Sequence, residues 1–348
     1  MKKYNFKTQL LDCTLRDGSY ENNFGFTNKD TYEICSSLEK AGLKWIEVGH
    51  GLGIGASKST KFKAVSSDQG YLSAASRAIK KAKWGMFCIP TLSKLDDLRM
   101  AADYGMKFVR IGTNVEDYKK AEKFVALSKK LNFFVCSNYM KTYLVNPNQF
   151  LKYVKYSKNI GSDLVYIVDS AGGQFPEEIE SYYKKIKNEK INIKLGFHGH
   201  NNLGLSIANS LIAIDNGVNF VDCSLQGLAR GAGNTSSEQL ICSLIKKGLD
   251  IDIDPIVLMD ISEKYILPLS VDNNISSIDV ISGLSLFHSS YMDVIQKYSS
   301  EYKVDPRRLI INVCKTDKIN APESLVEHEA KKLSKEKKFG DWKKFYKH

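Results

Sequence analysis

The sequence predicts an α/β protein: a (β/α)8 TIM barrel followed by a smaller, mostly helical C-terminal domain. Three observations predict it. Short apolar runs rich in β-formers recur eight times, the segments between them are polar with helical periodicity, and the alternation stops after Gly248. Strand then helix, repeated, is the pattern of a parallel α/β fold. Eight repeats over about 240 residues favour a closed barrel over an open doubly wound sheet. No G-x-G-x-x-G follows the first strand, which argues against dinucleotide binding.

The strand-like runs, in order, are TQLLDCT from Thr8, WIEVGHG from Trp45, WGMFCI from Trp84 and FVRIGT from Phe108. They continue with FFVCSN from Phe133, LVYIVDS from Leu164, KLGFHGH from Lys194 and FVDCSLQG from Phe220. Between them, NKDTYEICSSLEKAG places Tyr32, Ile34, Cys35 and Leu38 on one expected stripe and ends at Gly42. LGLSIANSLIAIDNG closes similarly at Gly217. These elements define a barrel domain over residues 1–249. From DIDIDPIVLMDISEKYILPLSV onward the chain reads as helices, giving a second domain over residues 250–348 with the Lys-rich tail AKKLSKEKKFGDWKKFYKH.

Composition narrows the function. The chain has 348 residues, 43% hydrophobic and 26% charged, which suits a globular protein with a sizeable core. Its net charge of +11 is scattered over helices, and no basic run interleaved with aromatics marks a nucleic-acid binder. No stretch approaches the ~20 apolar residues of a membrane span, and no apolar signal core opens the chain. Seven Cys without a C-x-x-C pair fit thiols in a reducing cytoplasm.

In such a barrel the chemistry lies at the C-terminal ends of the strands. Those ends offer Arg16 and Asp17, Glu47 and His50, Asp169 and Ser170, His198 and His200, and finally the glycine-rich loop GLARGAGN. GFHGHNN is the sharpest signal, because side chains two apart on a strand share a face. His198 and His200 therefore point the same way, either as a hydrogen-bonded core pair or as two ligands of one metal. Asp17 would complete a set of two nitrogens and one oxygen, open to substrate, suited to Mn, Co, Mg or Zn. Arg16 is then either half of an ordinary salt bridge or a donor to a developing enolate beside that ion.

TLRDG after strand 1, HGHNN on strand 7 and GAGN after strand 8 together resemble the DRE-TIM metallolyase family. VGHGLGIGASKS and VDSAGG look most like its 4-hydroxy-2-oxovalerate aldolases. The resemblance implies a divalent ion, Mn foremost, on Asp17, His198 and His200. It implies retro-aldol cleavage of a 4-hydroxy-2-oxo acid to pyruvate and an aldehyde, with Arg16 on the keto oxygen and Ser170 on the substrate carboxylate. It also implies a partner at the C-terminal domain, an acylating aldehyde dehydrogenase, with a homodimer as the other option. Asn234 matches an extra ligand of the lyase branch. NTSSEQ, however, also reads as a capping box between Thr235 and Glu238, the reading expected here.

Two departures bear on mechanism. The aldolases carry a His after the Arg–Asp pair where this chain has Tyr20, and a Tyr before S-S where this chain has His288 in FHSSY. We expect the two roles to have changed places, with His288 as general base and Tyr20 as its hydrogen-bonding partner. The loop GLARGAGN lacks the Cys of the lyase branch, and Ser19-Tyr20 replaces the Glu-Gln of the synthases. The competing reaction is a Claisen-type acyl transfer from acetyl-CoA to a 2-oxo acid. A non-catalytic barrel would have no need of Arg16. SNYMKTY and FCIPTL, with Tyr139 and Thr91, are expected to line the aldehyde pocket.

Overall fold

The computed structural model describes residues 4–269 and 276–336. Its centre is a closed barrel of eight parallel strands. They are β1 (Gln9–Asp12), β2 (Trp45–Val48), β3 (Lys83–Cys88), β4 (Phe108–Asn114), β5 (Phe134–Met140), β6 (Leu164–Asp169), β7 (Lys194–Gly199) and β8 (Phe220–Cys223). Each predicted run supplies one strand. The barrel closes where Gln9 of β1 stands opposite Phe220 of β8.

The eight helices that alternate with the strands are α1 (Asn28–Lys40), α2 (Asp68–Ala78), α3 (Leu95–Asp103), α4 (Glu122–Lys130), α5 (Pro147–Asn159), α6 (Pro176–Asn188), α7 (Ser206–Asp215) and α8 (Ser237–Lys246). In α1, Thr27 and Asp30 form a capping box, and Thr31, Ile34, Cys35 and Leu38 face the core. Tyr32 is 42% exposed and not on the stripe, one position out of phase with Thr31; Arg77 lies over its ring. Gly42 and Gly217 end their helices at φ of +102° and +77°, a region that favours glycine.

The inward face of the strands explains where the site is. Leu11, Trp45, Phe108, Cys136, Leu164 and Phe220 join one apolar cluster in the barrel interior. Two residues further along, the same face carries Glu47 above Trp45, Arg110 above Phe108, Asn138 above Cys136 and Asp222 above Phe220. The barrel is thus apolar at its floor and charged at its C-terminal end.

Beyond the barrel, Leu249–Asp250 pairs in parallel with Tyr4–Asn5, and the described helices are α9 (Pro255–Tyr265), α10 (Ser277–Ser285), α11 (Met292–Glu301), α12 (Pro306–Thr316) and α13 (Glu323–Ser334). Leu258 and Ile261 of α9 pack into the barrel's main cluster. A separate core forms from Phe287, Ile295, Leu309, Ile310, Val313, Val326 and Ala330. The Lys-rich segment 337–348 lies outside the described residues.

Candidate active site

Six charged or imidazole side chains form a closed ring across the barrel's C-terminal end. Arg16, in the one-turn helix after β1, donates through Nη1 to Asp17 Oδ1 at 2.7 Å and through Nε to Glu47 Oε2 at 2.8 Å. Arg110 Nη1 meets the same Glu47 oxygen at 2.7 Å and its Nη2 donates to Asp222 Oδ2. Asp222 Oδ2 also lies 2.8 Å from His198 Nδ1. His198 Nε2 then returns to Asp17 Oδ2 at 3.5 Å. All six are buried, and ion pairing offsets the large cost of desolvating them. Burial raises the Asp17 carboxyl, but Arg16, His200, His198 and Arg230 outweigh it and hold it well below the carboxylate range.

The last contact of the ring is the informative one. Asp222 can only accept, so His198 carries its proton on Nδ1 and presents a lone pair at Nε2. That lone pair faces Asp17 Oδ2, another acceptor, across 3.5 Å. Asn234 Nδ2 donates to the same oxygen at 2.9 Å, while Asn234 Oδ1 is buried without a partner among the described residues. Two facing acceptors, Asp17 Oδ2 and His198 Nε2, fit a shared divalent ion. The carboxylate behind His198 is the usual outer support of a ligating imidazole.

His200 belongs to the same corner, its ring centroid 5.2 Å from that of His198. Burial, then Arg230, push its pKa well below the usual imidazole value, so it stands as a neutral base. Cys13 Sγ also lies within 4.8 Å of ligand atoms of Asp17 and His198. Its thiol donates to the Cys223 carbonyl at 3.2 Å, and burial raises its pKa well above normal. A protonated thiol is a poor ligand.

Above the ring lies a cavity of about 420 Å³ lined by Arg16, Asp17, Tyr20, Ser170, His198, His200 and His288, together with Lys141 and Arg230. Arg16, Asp17, Tyr20, Ser170, His198, His200 and His288, all selected from the sequence, thus line one pocket. The expected pairing of Tyr20 with His288 is not made among the described residues. The Tyr20 ring packs edge-on to Phe24 at 5.3 Å. His288 is held instead by Arg230, at 3.1 Å from Nε2, and by Ser290 Oγ, at 2.7 Å from Nδ1. The turn bearing His288 docks over the barrel mouth, and its neighbour Tyr291 accepts from Lys141 Nζ at 3.0 Å.

Other expectations resolve structurally. His50 stacks on Phe24 and bonds the Phe62 carbonyl at 2.9 Å, so it fixes a loop. Tyr139 points away from the cavity, its hydroxyl 2.6 Å from Ser157 Oγ, because alternation on β5 turns Asn138 and Met140 inward instead. Thr91 is outside the cavity lining, where Phe87 and Ile89 stand. The Thr235–Glu238 box does not form: Ser236 caps α8, and Glu238 accepts from Gln226 N–H and Ser262. Asn234 itself donates to Asp17 Oδ2 at 2.9 Å. Arg110, Asp222 and Arg230 escaped the sequence reading; a charge inside an apolar strand was the only signal for the first two.

The family model described as HMGL-like matches residues 7–264, and the chain belongs to that family. It is 32% identical over 333 residues to a 4-hydroxy-2-oxovalerate aldolase of Carboxydothermus hydrogenoformans, covering 95% of this chain and 99% of the relative. It is 32% identical over 329 residues to one from Pelotomaculum thermopropionicum, with 94% and 97% covered. Among solved structures, the carboxyl transferase domain of Rhizobium etli pyruvate carboxylase with pyruvate superposes with a TM-score of 0.78 at 13% identity, over 95% of this chain and 62% of that one. At that identity the likeness concerns the fold. The resemblance drawn from TLRDG, HGHNN and GAGN is borne out.

Proposed function

We propose that this chain is a divalent-metal-dependent aldolase, a carbon–carbon lyase, that cleaves or forms a 4-hydroxy-2-oxo acid. The relatives' names favour this over Claisen-type acyl transfer. The observation that carries it is the convergence of Asp17 Oδ2 and His198 Nε2 beside a buried Arg16. Asp17, His198 and His200 would hold the ion, with Asn234 Oδ1 as a further oxygen. The resemblance implies Mn, and two nitrogens with hard oxygens also suit Co, Mg or Zn. When bound, such an ion supplies Lewis acidity to the oxygens of the 2-oxo acid.

The chain's own residues do the rest. Arg16 commits Nε and Nη1 to carboxylates, which leaves Nη2 to donate to the keto oxygen as it becomes an enolate. Ser170 Oγ accepts from the Lys141 backbone N–H at 3.0 Å, so its own proton can serve the substrate carboxylate. The Ser290 backbone N–H donates to His288 Nδ1 at 3.2 Å and Arg230 Nη2 lies 3.1 Å from Nε2, so both ring nitrogens face donors and the surroundings favour a ring that accepts a proton. Burial, Arg230 and Lys141 push the His288 pKa well below the usual imidazole value, so the ring stands unprotonated. It takes the C4 hydroxyl proton, the C3–C4 bond breaks, and the electron pair passes to the 2-oxo oxygen. Protonation at C3 then gives pyruvate and the aldehyde. Burial pushes Tyr20 up to about 12, so its phenol stays protonated and donates within the pocket.

Chelator-stripped protein should release no pyruvate from 4-hydroxy-2-oxovalerate, and added Mn²⁺ should restore release. Release that persists without metal contradicts the proposal. The described C-terminal helices expose Val280 and Leu284, 44% and 65%, which suits a second copy or an acylating aldehyde dehydrogenase. Among the described residues no helix is long and apolar enough to cross a membrane. All seven cysteines are free, which fits the cytoplasm.

A further inference from the structure

The cavity holds more positive charge than the proposed chemistry uses. Arg16 and Arg110 are matched by Asp17, Glu47 and Asp222. Asp293, also in the lining, pairs with Lys61 at 3.1 Å. Lys141 and Arg230 remain. Lys141 is 2% exposed, and its ammonium meets only neutral groups among the described residues, Tyr291 Oη at 3.0 Å and the Ile319 carbonyl. Arg230 likewise meets Ser289 Oγ at 2.9 Å and ring nitrogens of His288 and His200. Two cations held near each other without a carboxylate repel, and a bound divalent ion adds to the imbalance.

Position says which part of a substrate they face. Lys141 leaves the end of β5 and reaches Tyr291 and Ile319 of the C-terminal region, away from the floor of the barrel. Arg230 braces the same turn, through His288 and Ser289. Both therefore flank the base, at the end of the cavity where the aldehyde fragment would sit. We propose that Lys141 and Arg230 form an anion subsite, and that the natural aldehyde carries a second acidic group, a carboxylate or a phosphate. The proposal rests on the aldolase reading and deepens it. Charge-assisted hydrogen bonds from two desolvated donors are worth roughly 30- to 100-fold in discrimination.

The test uses the full chain loaded with Mn²⁺. Loss of the pyruvate methyl signal in D2O first reports enolisation, which needs no aldehyde. Addition of pyruvate to acetaldehyde and glycolaldehyde is then compared with addition to glyoxylate, succinic semialdehyde and glycolaldehyde phosphate. The expected result is kcat/KM at least about 30-fold higher for one acidic class, carboxylate or phosphate, which also names the group. Lys141→Met should cut that preference about tenfold and Lys141→Arg should retain it, with Arg230→Gln as a second variant should Lys141→Met not fold. Equal rates for acidic and neutral aldehydes, with enolisation intact, overturn the subsite and leave the aldolase reading standing. A preference that survives both Lys141→Met and Arg230→Gln also overturns it. Enolisation absent with every divalent metal overturns both.

Discussion

At the scale of single residues, the site depends on Asp222 as much as on the ligands it supports. It orients His198 and neutralises Arg110 with one oxygen. Asp222→Asn should weaken Mn²⁺ binding about 10- to 100-fold, read by competition with a chelator, because an amide no longer fixes the Nδ1 proton. His288→Ala should lower kcat about 10²- to 10⁴-fold with metal affinity little changed; an unchanged turnover would remove His288 from the mechanism. Lys141 gives the pH dependence. Burial and Arg230 push it from 10.5 down to about 8. Between those values the unfolded chain holds a proton that the folded chain has released, so this group makes stability rise with pH across that window. Preference for acidic aldehydes should fall as pH rises through about 8, whereas rates with neutral aldehydes should not follow it. Arg16, Asp17, His198 and His200 were legible in the sequence because two short motifs carried them. Lys141 and Arg230 were not, since their meaning lies in a missing counter-charge that only packing reveals.

At the scale of elements, the question is what holds the His288 turn over the barrel. The loop after β6 and helix α10 meet backbone to backbone: a Cβ on Gly173 would lie 2.3 Å from the Gly283 carbonyl oxygen. Neither partner can yield cheaply. Gly173→Ala should cost about 1–3 kcal/mol in urea unfolding. Because α10 leads into the turn, it should also lower kcat about tenfold or more while Mn²⁺ binding persists. The sequence marked this glycine as part of VDSAGG, yet its partner lies more than a hundred positions along the chain, beyond any local pattern. The strands themselves were legible because β-rich runs and helical stripes have fixed periods. Tyr32 and Thr235 were misread for a related reason. Helix phase and cap differ by one residue from the expectation, and burial against neighbours decides both.

At the scale of the whole molecule, the barrel is a device that converts strand alternation into a graded interior. Apolar rings at the floor seal it, and the next inward position carries charge on β2, β4 and β8, as Glu47, Arg110 and Asp222. Closure brings residues that follow the first and last strands of the barrel, Asp17 and Asn234, within hydrogen-bond distance. The number and order of strands could be read from the sequence, but the ring joining Arg16, Glu47, Arg110, Asp222 and His198 required their closure in space. The central claim is that this ring and His200 hold one divalent ion. Its most direct test is Mn²⁺ titration of chelator-stripped protein by electron paramagnetic resonance, comparing the native chain with Asp17→Asn and His198→Ala. The account predicts one tightly bound Mn²⁺ per native chain and none in either folded variant; equal binding in all three would contradict it.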